Sequence, residues 1–319
     1  MTEIIGFDRI QEALLKVDVI AAMEAGFQAY SRGDVVVPPV GELCFQDPPG
    51  ETHIKYGYIK QNDFYVIKIA SGFYNNPELG LSSSQGAMLV FCQKTGVLKA
   101  VLLDDGFLTD IRTAAAGAVV AKYLAPQKVT RVGILGAGIQ ARLQLAWLRR
   151  VFRVNEVMVW APSKENHHTF RAFFELDDLT INFVEEPRQI AQNCNFIVTT
   201  TPSKKPLLMA EDIQPGTHIT AVGSDTAEKI ELDPRILQRA DRVVADSLSQ
   251  SRSRGEIFQA VQAGMLDPSH VIELGTLIGK NKSIHDSQIT AADLTGVAVQ
   301  DIQIATAVYR ECVPSKSQD

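Results

Sequence analysis

The spacing of apolar residues changes character once along this chain, close to Val129. Before that point, Ile10, Ala13, Leu14, Val17, Ile20, Ala21, Met23, Ala25 and Phe27 recur mostly at helical intervals and predict one or two helices ahead of the turn Ser31-Arg32-Gly33-Asp34. Short β-type runs follow at 35–40, 53–60, 64–70, 86–92 and 97–103, each bounded by Gly, Pro, Asn or Asp, and predict an antiparallel sheet. Positions 109–124 read as a helix with Thr109 or Asp110 at its N-cap, and Ala114-Ala115-Ala116-Gly117-Ala118 predicts very close packing.

After Val129, strands at 131–135, 156–160, 180–184, 196–200, 218–222 and 242–245 alternate with helices, the pattern of a doubly wound parallel sheet. Segment 298–309 is helical and follows the last strand signal, so it is placed to return to the first domain. The expected fold is therefore α/β: a Rossmann doubly wound parallel sheet over 125–289, plus an α+β domain from 1–124 and 290–319. Positions 314–319 read as a disordered tail.

The transition carries the most specific signal, RVGILGAGIQARLQLAWL at 131–148. Val132, Ile134 and Leu135 predict a buried strand, and Ile139, Leu143, Ala146 and Trp147 one face of the helix after it. Between them, Gly136 permits a tight turn, Gly138 lets the backbone approach a pyrophosphate, and Ala141 keeps helix and strand close. The helix N-terminus supplies free N–H groups for phosphate. A strand-to-helix turn without a ligand is the alternative.

Composition narrows the partners. The chain has 319 residues, 45% hydrophobic and 21% charged, with net charge -6, which gives enough apolar content for a full core and no basic block for nucleic acid. Cys44, Cys92, Cys194 and Cys312 lie far apart without metal-type spacing, so free thiols in a reducing compartment and no metal site are expected. No apolar run is long enough to span a membrane, and the N-terminal stretch lacks a signal pattern, so a cytoplasmic protein with no membrane partner is expected.

Certain charged positions call for explanation. Lys68 alternates with Phe64, Val66 and Ala70 on one face of its strand. A four-residue loop at 60–63 sets Lys55, on the face of His53, directly opposite Lys68. Opposed like charges are unfavourable unless an anion lies between them, and a substrate carboxylate is the candidate. Lysines snorkelling to water are the alternative for both. Arg112, in the first turn of the helix expected from Thr109, opposes the macrodipole and suits a carboxylate too, unless a neighbouring acid pairs with it at the surface.

At the carboxyl ends of the predicted parallel strands stand Asp225, able to act as a base or to stabilise an iminium, and Thr199-Thr200-Thr201-Pro202, placed for a nicotinamide ribose. A cap or turn role is the alternative for Asp225. The acid expected about twenty residues beyond the glycines is absent: Ala161 stands there, followed by Ser163 and Lys164, which removes the repulsion of a 2′-phosphate. The cofactor expected is NADP or NAD. It is held by Gly136, Gly138, Ile139, Gln140, Ala161, Ser163, Lys164, Thr200, Thr201, Pro202 and Val222.

LTDIRTAAAGAVVAKYLA at 108–125, VGILGAGIQAR at 132–142, GSDTAEKIEL at 223–232 and TGVAVQDIQIA at 295–305 together resemble the ornithine cyclodeaminase and mu-crystallin family over nearly the whole chain. The resemblance implies a homodimer whose first domain, completed by the C-terminal helix, binds substrate and forms the dimer interface. It also implies that Lys68 and Arg112 bind a carboxylate, that Ser84 falls near a substrate-contacting hydroxyl, and that Asp225 is the catalytic acid. Where many members carry an arginine after Pro-Val, this chain reads Pro39-Val40-Gly41-Glu42. Either His53 and Lys55 replace that charge or Glu42 meets an amino group. The expected activity is NAD(P)-dependent reduction of a small imino acid or oxidation of an amino acid. Ornithine cyclodeamination and non-enzymatic ligand binding are the alternatives.

Overall fold

Two segments of chain far apart in sequence build one unit, Met1–Arg112 with the stretch from Val297 onward; Thr113–Gly296 forms the other. The structure, a computed structural model, describes residues 1–73, 75–282 and 284–314. Of the expected tail at 314–319, positions 315–319 lie outside the described residues. The division falls within the helix Phe107–Leu124 rather than at its end.

In the first unit, antiparallel strands Pro49–Ile59, Phe64–Phe73, Ser84–Cys92 and Leu98–Leu102 pair in sequence order. Glu3–Ile5 joins one edge in parallel, and Val35–Val36 and Gly41–Gln46 both pair with Pro49–Ile59. The run expected at 35–40 is this short because Pro38 and Pro39 have no N–H to give the ladder. Glu3–Ile5 and Gly41–Gln46 lack a clear apolar alternation and are not apparent in the sequence.

Helix Ala298–Cys312 covers one face of this sheet, where Phe64 meets Tyr309 edge-on at 5.0 Å and Val66, Met88, Val90, Ala100 and Leu102 are buried. Helices Phe7–Leu14 and Val19–Ser31 pack on that helix. Gly26 permits the approach, since a Cβ there would stand 2.9 Å from Gln303 Cγ. The opposite face is apolar yet accessible: Tyr56, Tyr58 and Ile69 are more than one-third exposed, and Tyr65 stacks on Phe91 across the strands.

Among the described residues, the main sheet of the second unit has eight parallel strands in the order Thr180–Phe183, Glu156–Trp160, Val132–Leu135, Phe196–Thr199, His218–Ala221, Thr290–Asp293, Arg242–Ala245, Val271–Glu273, and Lys204–Leu208 pairs separately with Ile230–Leu232. Strand order reverses beside Val132–Leu135, which creates the crevice where open α/β sheets bind ligands. Thr290–Asp293 lies inside this sheet, whereas the sequence reading ended the domain at 289; its Thr-Ala-Ala-Asp composition gives almost no strand signal.

Helix Ile139–Leu148 follows the glycine turn but is not one-sided. Ala141, Leu143, Gln144, Leu145, Trp147 and Leu148 are all buried, while Ile139 is 44% exposed, which corrects the face read from the sequence. The cause is packing on a second side: Gln144 Nε2 donates to Thr113 O at 3.1 Å, and a Cβ on Gly117 would overlap the Gln144 amide. Among the described residues, no helix is long and apolar enough to cross a membrane.

Candidate active site

Strand Val132–Leu135, wholly buried, delivers the chain to Gly136 at φ +114, a conformation that other residues rarely adopt. A Cβ there would also come within 2.4 Å of Thr200 Oγ1. Gly136 N donates to Trp160 O at 2.7 Å, and Thr200 N and Oγ1 both donate to Leu135 O, so three strand ends are tied together. Gly138 is the N-cap of the helix, has no side-chain cap, and a Cβ on it would meet nothing within 4 Å. No N-cap side chain covers the first turn of Ile139–Leu148, beside an open, shallow backbone, which fits a dinucleotide pyrophosphate.

The remaining cofactor candidates divide. Val222 N donates to Thr199 O at 2.9 Å, which fixes the ends of adjacent strands, and Pro202 is exposed in the loop beyond. The Thr201 hydroxyl points inward, however, donating to Glu231 Oε1 at 2.8 Å. Thr199 does the same to Oε2 at 2.7 Å, so these hydroxyls serve the protein rather than a ribose. Ala161 follows the end of strand Glu156–Trp160, and Ser163 Oγ accepts from Glu165 N at 3.2 Å. Lys164 Nζ lies 3.4 Å from Glu185 Oε1, an acid from beyond the neighbouring strand.

Asp225 sits on the loop after His218–Ala221 with its side chain 53% exposed, 2.6 Å from Lys229 Nζ. Ser224 Oγ donates to Lys229 O at 2.6 Å and closes the loop at its base.

On the covered face of the first unit, Lys55 and Lys68 are register partners, as the four-residue loop predicted. Lys68 is 3% exposed, and its Nζ lies 3.3 Å from Asp301 Oδ1. Arg112 Nε reaches the same oxygen at 3.1 Å, while its Nη1 donates to Gln300 Oε1. Both contacts to Asp301 are ion-pair distances that miss hydrogen-bond alignment. Burial pushes the Lys68 ammonium down to about 7; Asp301 opposes this, and Arg112 and Lys55 add to it. Burial raises the Asp301 carboxyl, but Lys68, Arg112 and Lys55 outweigh it and hold that group below its usual range.

Helix Phe107–Leu124 begins before Thr109, because Asp104 Oδ2 accepts from Leu108 N at 2.9 Å in the place expected of Thr109 or Asp110. Arg112 therefore stands in the second turn, and Asp301 rather than a surface neighbour answers its charge. His53 has Glu42 Oε1 at 3.7 Å and Glu51 Oε1 at 3.6 Å. It faces protein acids, which weakens the expectation that it substitutes for an arginine toward substrate. Ser84, exposed at the start of its strand, pairs with Gly72 on the Lys68 face.

Asp301, Gln300, Asp104, Lys229 and Glu231 escaped the sequence reading. Asp301 alone left a usable signal: it recurs with Ala305 and Val308 on the buried stripe of its helix, where an acid needs a cation.

A model of the ornithine cyclodeaminase/mu-crystallin family matches residues 3–316. The chain belongs to that family. An uncharacterized cyclodeaminase of Sinorhizobium fredii is 40% identical over 301 residues, 93% of this chain and 91% of the relative. The iminosuccinate reductase of Paracoccus denitrificans in complex with NAD+ superposes with a TM-score of 0.87 at 32% identity, covering 97% of this chain and 96% of that one. An archaeal alanine dehydrogenase dimer with bound NAD has the same TM-score and identity, covering 97% and 95%. The α/β fold and the dinucleotide cradle are those of the family.

Proposed function

We propose that this chain is an NAD(P)-dependent oxidoreductase of a small imino or amino acid, acting as an imino-acid reductase or, in reverse, as an amino-acid dehydrogenase. The observation that carries this reading is the convergence of Lys68 and Arg112 on a single oxygen of Asp301. Lys68 and Arg112, with Lys55 beside them, face the buried Asp301, while burial raises the carboxyl of Asp104, the other buried acid coupled to Lys68, so positive charge remains for a substrate carboxylate to answer. Membership of a family whose relatives include an iminosuccinate reductase and an alanine dehydrogenase supports it.

Gly136, Gly138 and the first-turn N–H groups of Ile139 and Gln140 hold the pyrophosphate. Bound NAD(P) supplies a hydride to the α-carbon of an imine, or accepts one from the amino acid. Arg112 and Lys68 hold the substrate carboxylate. Lys68, with its ammonium brought to about 7, also exchanges a proton near neutrality. Asp225 takes the role of the acid that manages the substrate nitrogen.

The accessible apolar sheet face with Tyr56, Tyr58 and Ile69 is assigned to a homodimer contact, as its apolar composition suits burial. Free Cys44, Cys92, Cys194 and Cys312 support a reducing, cytoplasmic setting. A second reading, ornithine cyclodeamination, is favoured by Glu42 and Glu51 beside His53, which offer an anionic end to a side-chain ammonium.

The test is consumption of NADH and NADPH with glyoxylate, pyruvate or oxaloacetate plus ammonia, and with cyclic imines. Turnover with at least one supports the reductase. No turnover with any of them removes it, and proline plus ammonia from ornithine with catalytic NAD installs the second reading.

A further inference from the structure

Three buried carboxylates in the parallel-sheet unit hand backbone contacts from one element to the next. Asp293, at the carboxyl end of its strand, accepts from Ile257 N at 2.9 Å in the first turn of helix Gly255–Gln262. Glu256 of that turn accepts from Glu231 N at 2.7 Å and Leu232 N at 3.2 Å. Glu231, fully buried, accepts from Thr201 N at 2.6 Å, Thr201 Oγ1 at 2.8 Å, Thr199 Oγ1 at 2.7 Å and Gly223 N at 2.9 Å.

We propose that Glu231 is a positioning residue that locks the Thr200–Pro202 turn to the Gly223–Asp225 loop and thereby sets the geometry of both for catalysis. Its contacts bridge the ends of strands Phe196–Thr199 and His218–Ala221, which are adjacent in the sheet. Gly223 makes the junction tight: a Cβ there would stand 2.2 Å from Thr201 O and 2.7 Å from Glu231 Oε2. Each carboxylate oxygen receives two donors, and these hydrogen bonds favour the charged form against burial, which pushes the Glu231 carboxyl up to about 7.

An apolar side chain would serve core stability at less desolvation cost than a buried charge. A carboxylate is what holds two loops from opposite sides at fixed spacing, at the strand ends where this fold binds ligands. Glu231 touches neither cofactor nor substrate in this account; it acts through Thr201, Gly223 and, along the loop, Asp225.

The inference rests on the proposed oxidoreductase activity for its kinetic arm and is independent of it in its structural arm. In Glu231→Gln, the amide must turn a donor toward N–H groups already donating. Hydrogen exchange in the ligand-free chain is expected to speed up at Thr201 and Gly223 and to stay unchanged in strand Val132–Leu135. With the substrate identified, kcat is expected to fall about 10- to 100-fold, the scale of supporting-shell changes at ordered sites, and Thr199→Val to add little on top of Glu231→Gln.

Unchanged exchange at Thr201 and Gly223, or kcat within about twofold of wild type, overturns the proposal. Should Glu231→Gln fail to fold, Thr199→Val carries the same exchange test at Gly223. A wild-type chain that turns over no imino or amino acid overturns the function while leaving the exchange result to decide this inference.

Discussion

Lys55 and Lys68 stand directly opposite each other on neighbouring antiparallel strands, and the acid that answers them, Asp301, comes from the C-terminal helix. Two like charges in register are held together by a group from the far end of the chain. The positive excess that remains, with Arg112 on the same Asp301 oxygen, is the basis for a carboxylate substrate.

Lys68 gives the activity a pH dependence of defined sign. With its pKa lowered to about 7, the ammonium is present below that value and lost above it. The KM for a carboxylate substrate is therefore expected to rise as pH climbs through about 7. Lys68→Arg, which stays charged, removes that rise. In Asp301→Asn the acid that chiefly raises Lys68 is gone, so the limb moves to lower pH; the breaking of a buried pair also costs about 3–5 kcal/mol, visible in urea unfolding. A limb that stays in place with Asn at 301 assigns it to another group.

Arg112→Lys is expected to raise KM by about tenfold or more with a smaller change in kcat. An ammonium cannot contact Asp301, Gln300 and a substrate carboxylate together as the guanidinium fork does. An unchanged KM moves the substrate carboxylate elsewhere.

Asp225→Asn is expected to abolish turnover while NADH still binds, as followed by fluorescence titration. The Asp225 side chain is half exposed and lies on a loop beyond the glycine cradle, so its loss leaves the cradle contacts in place. Full activity in this variant refutes the catalytic role.

Lys164 follows Ala161, at the place of the missing ribose-binding acid, and Glu185 partners it at 3.4 Å. Lys164→Ala is expected to weaken NADPH binding more than NADH binding, because only the former needs a cation for its 2′-phosphate. Glu185→Gln is expected to shift the ratio the other way. Equal effects on both nucleotides in both variants place the discriminating group outside this pair.

The sequence exposed what local periodicity and turn length control. Gly136, Gly138 and their flanking strand and helix were readable because glycine is required where φ reaches +114 and where the backbone must stay open. The Lys55–Lys68 register followed from a loop of fixed length. Asp301 leaves a signal on the buried stripe of its helix, but its partners stay hidden because they lie on another segment of chain, and Glu231 is hidden because TAEKIEL looks like an exposed charged run until the strand ends converge on it. Thr290–Asp293 carries too little apolar character to announce a central strand; its neighbours on both sides make it one.

Hydride transfer at the α-carbon leaves an isotopic signature in the product. Turnover with NADH or NADPH dideuterated at nicotinamide C4, so that either face delivers the label, and the imino acid that supports activity is to be followed by mass spectrometry of the product. One deuterium on the α-carbon of the resulting amino acid is the predicted result. An unlabelled α-carbon, with the nucleotide left unconsumed, contradicts it.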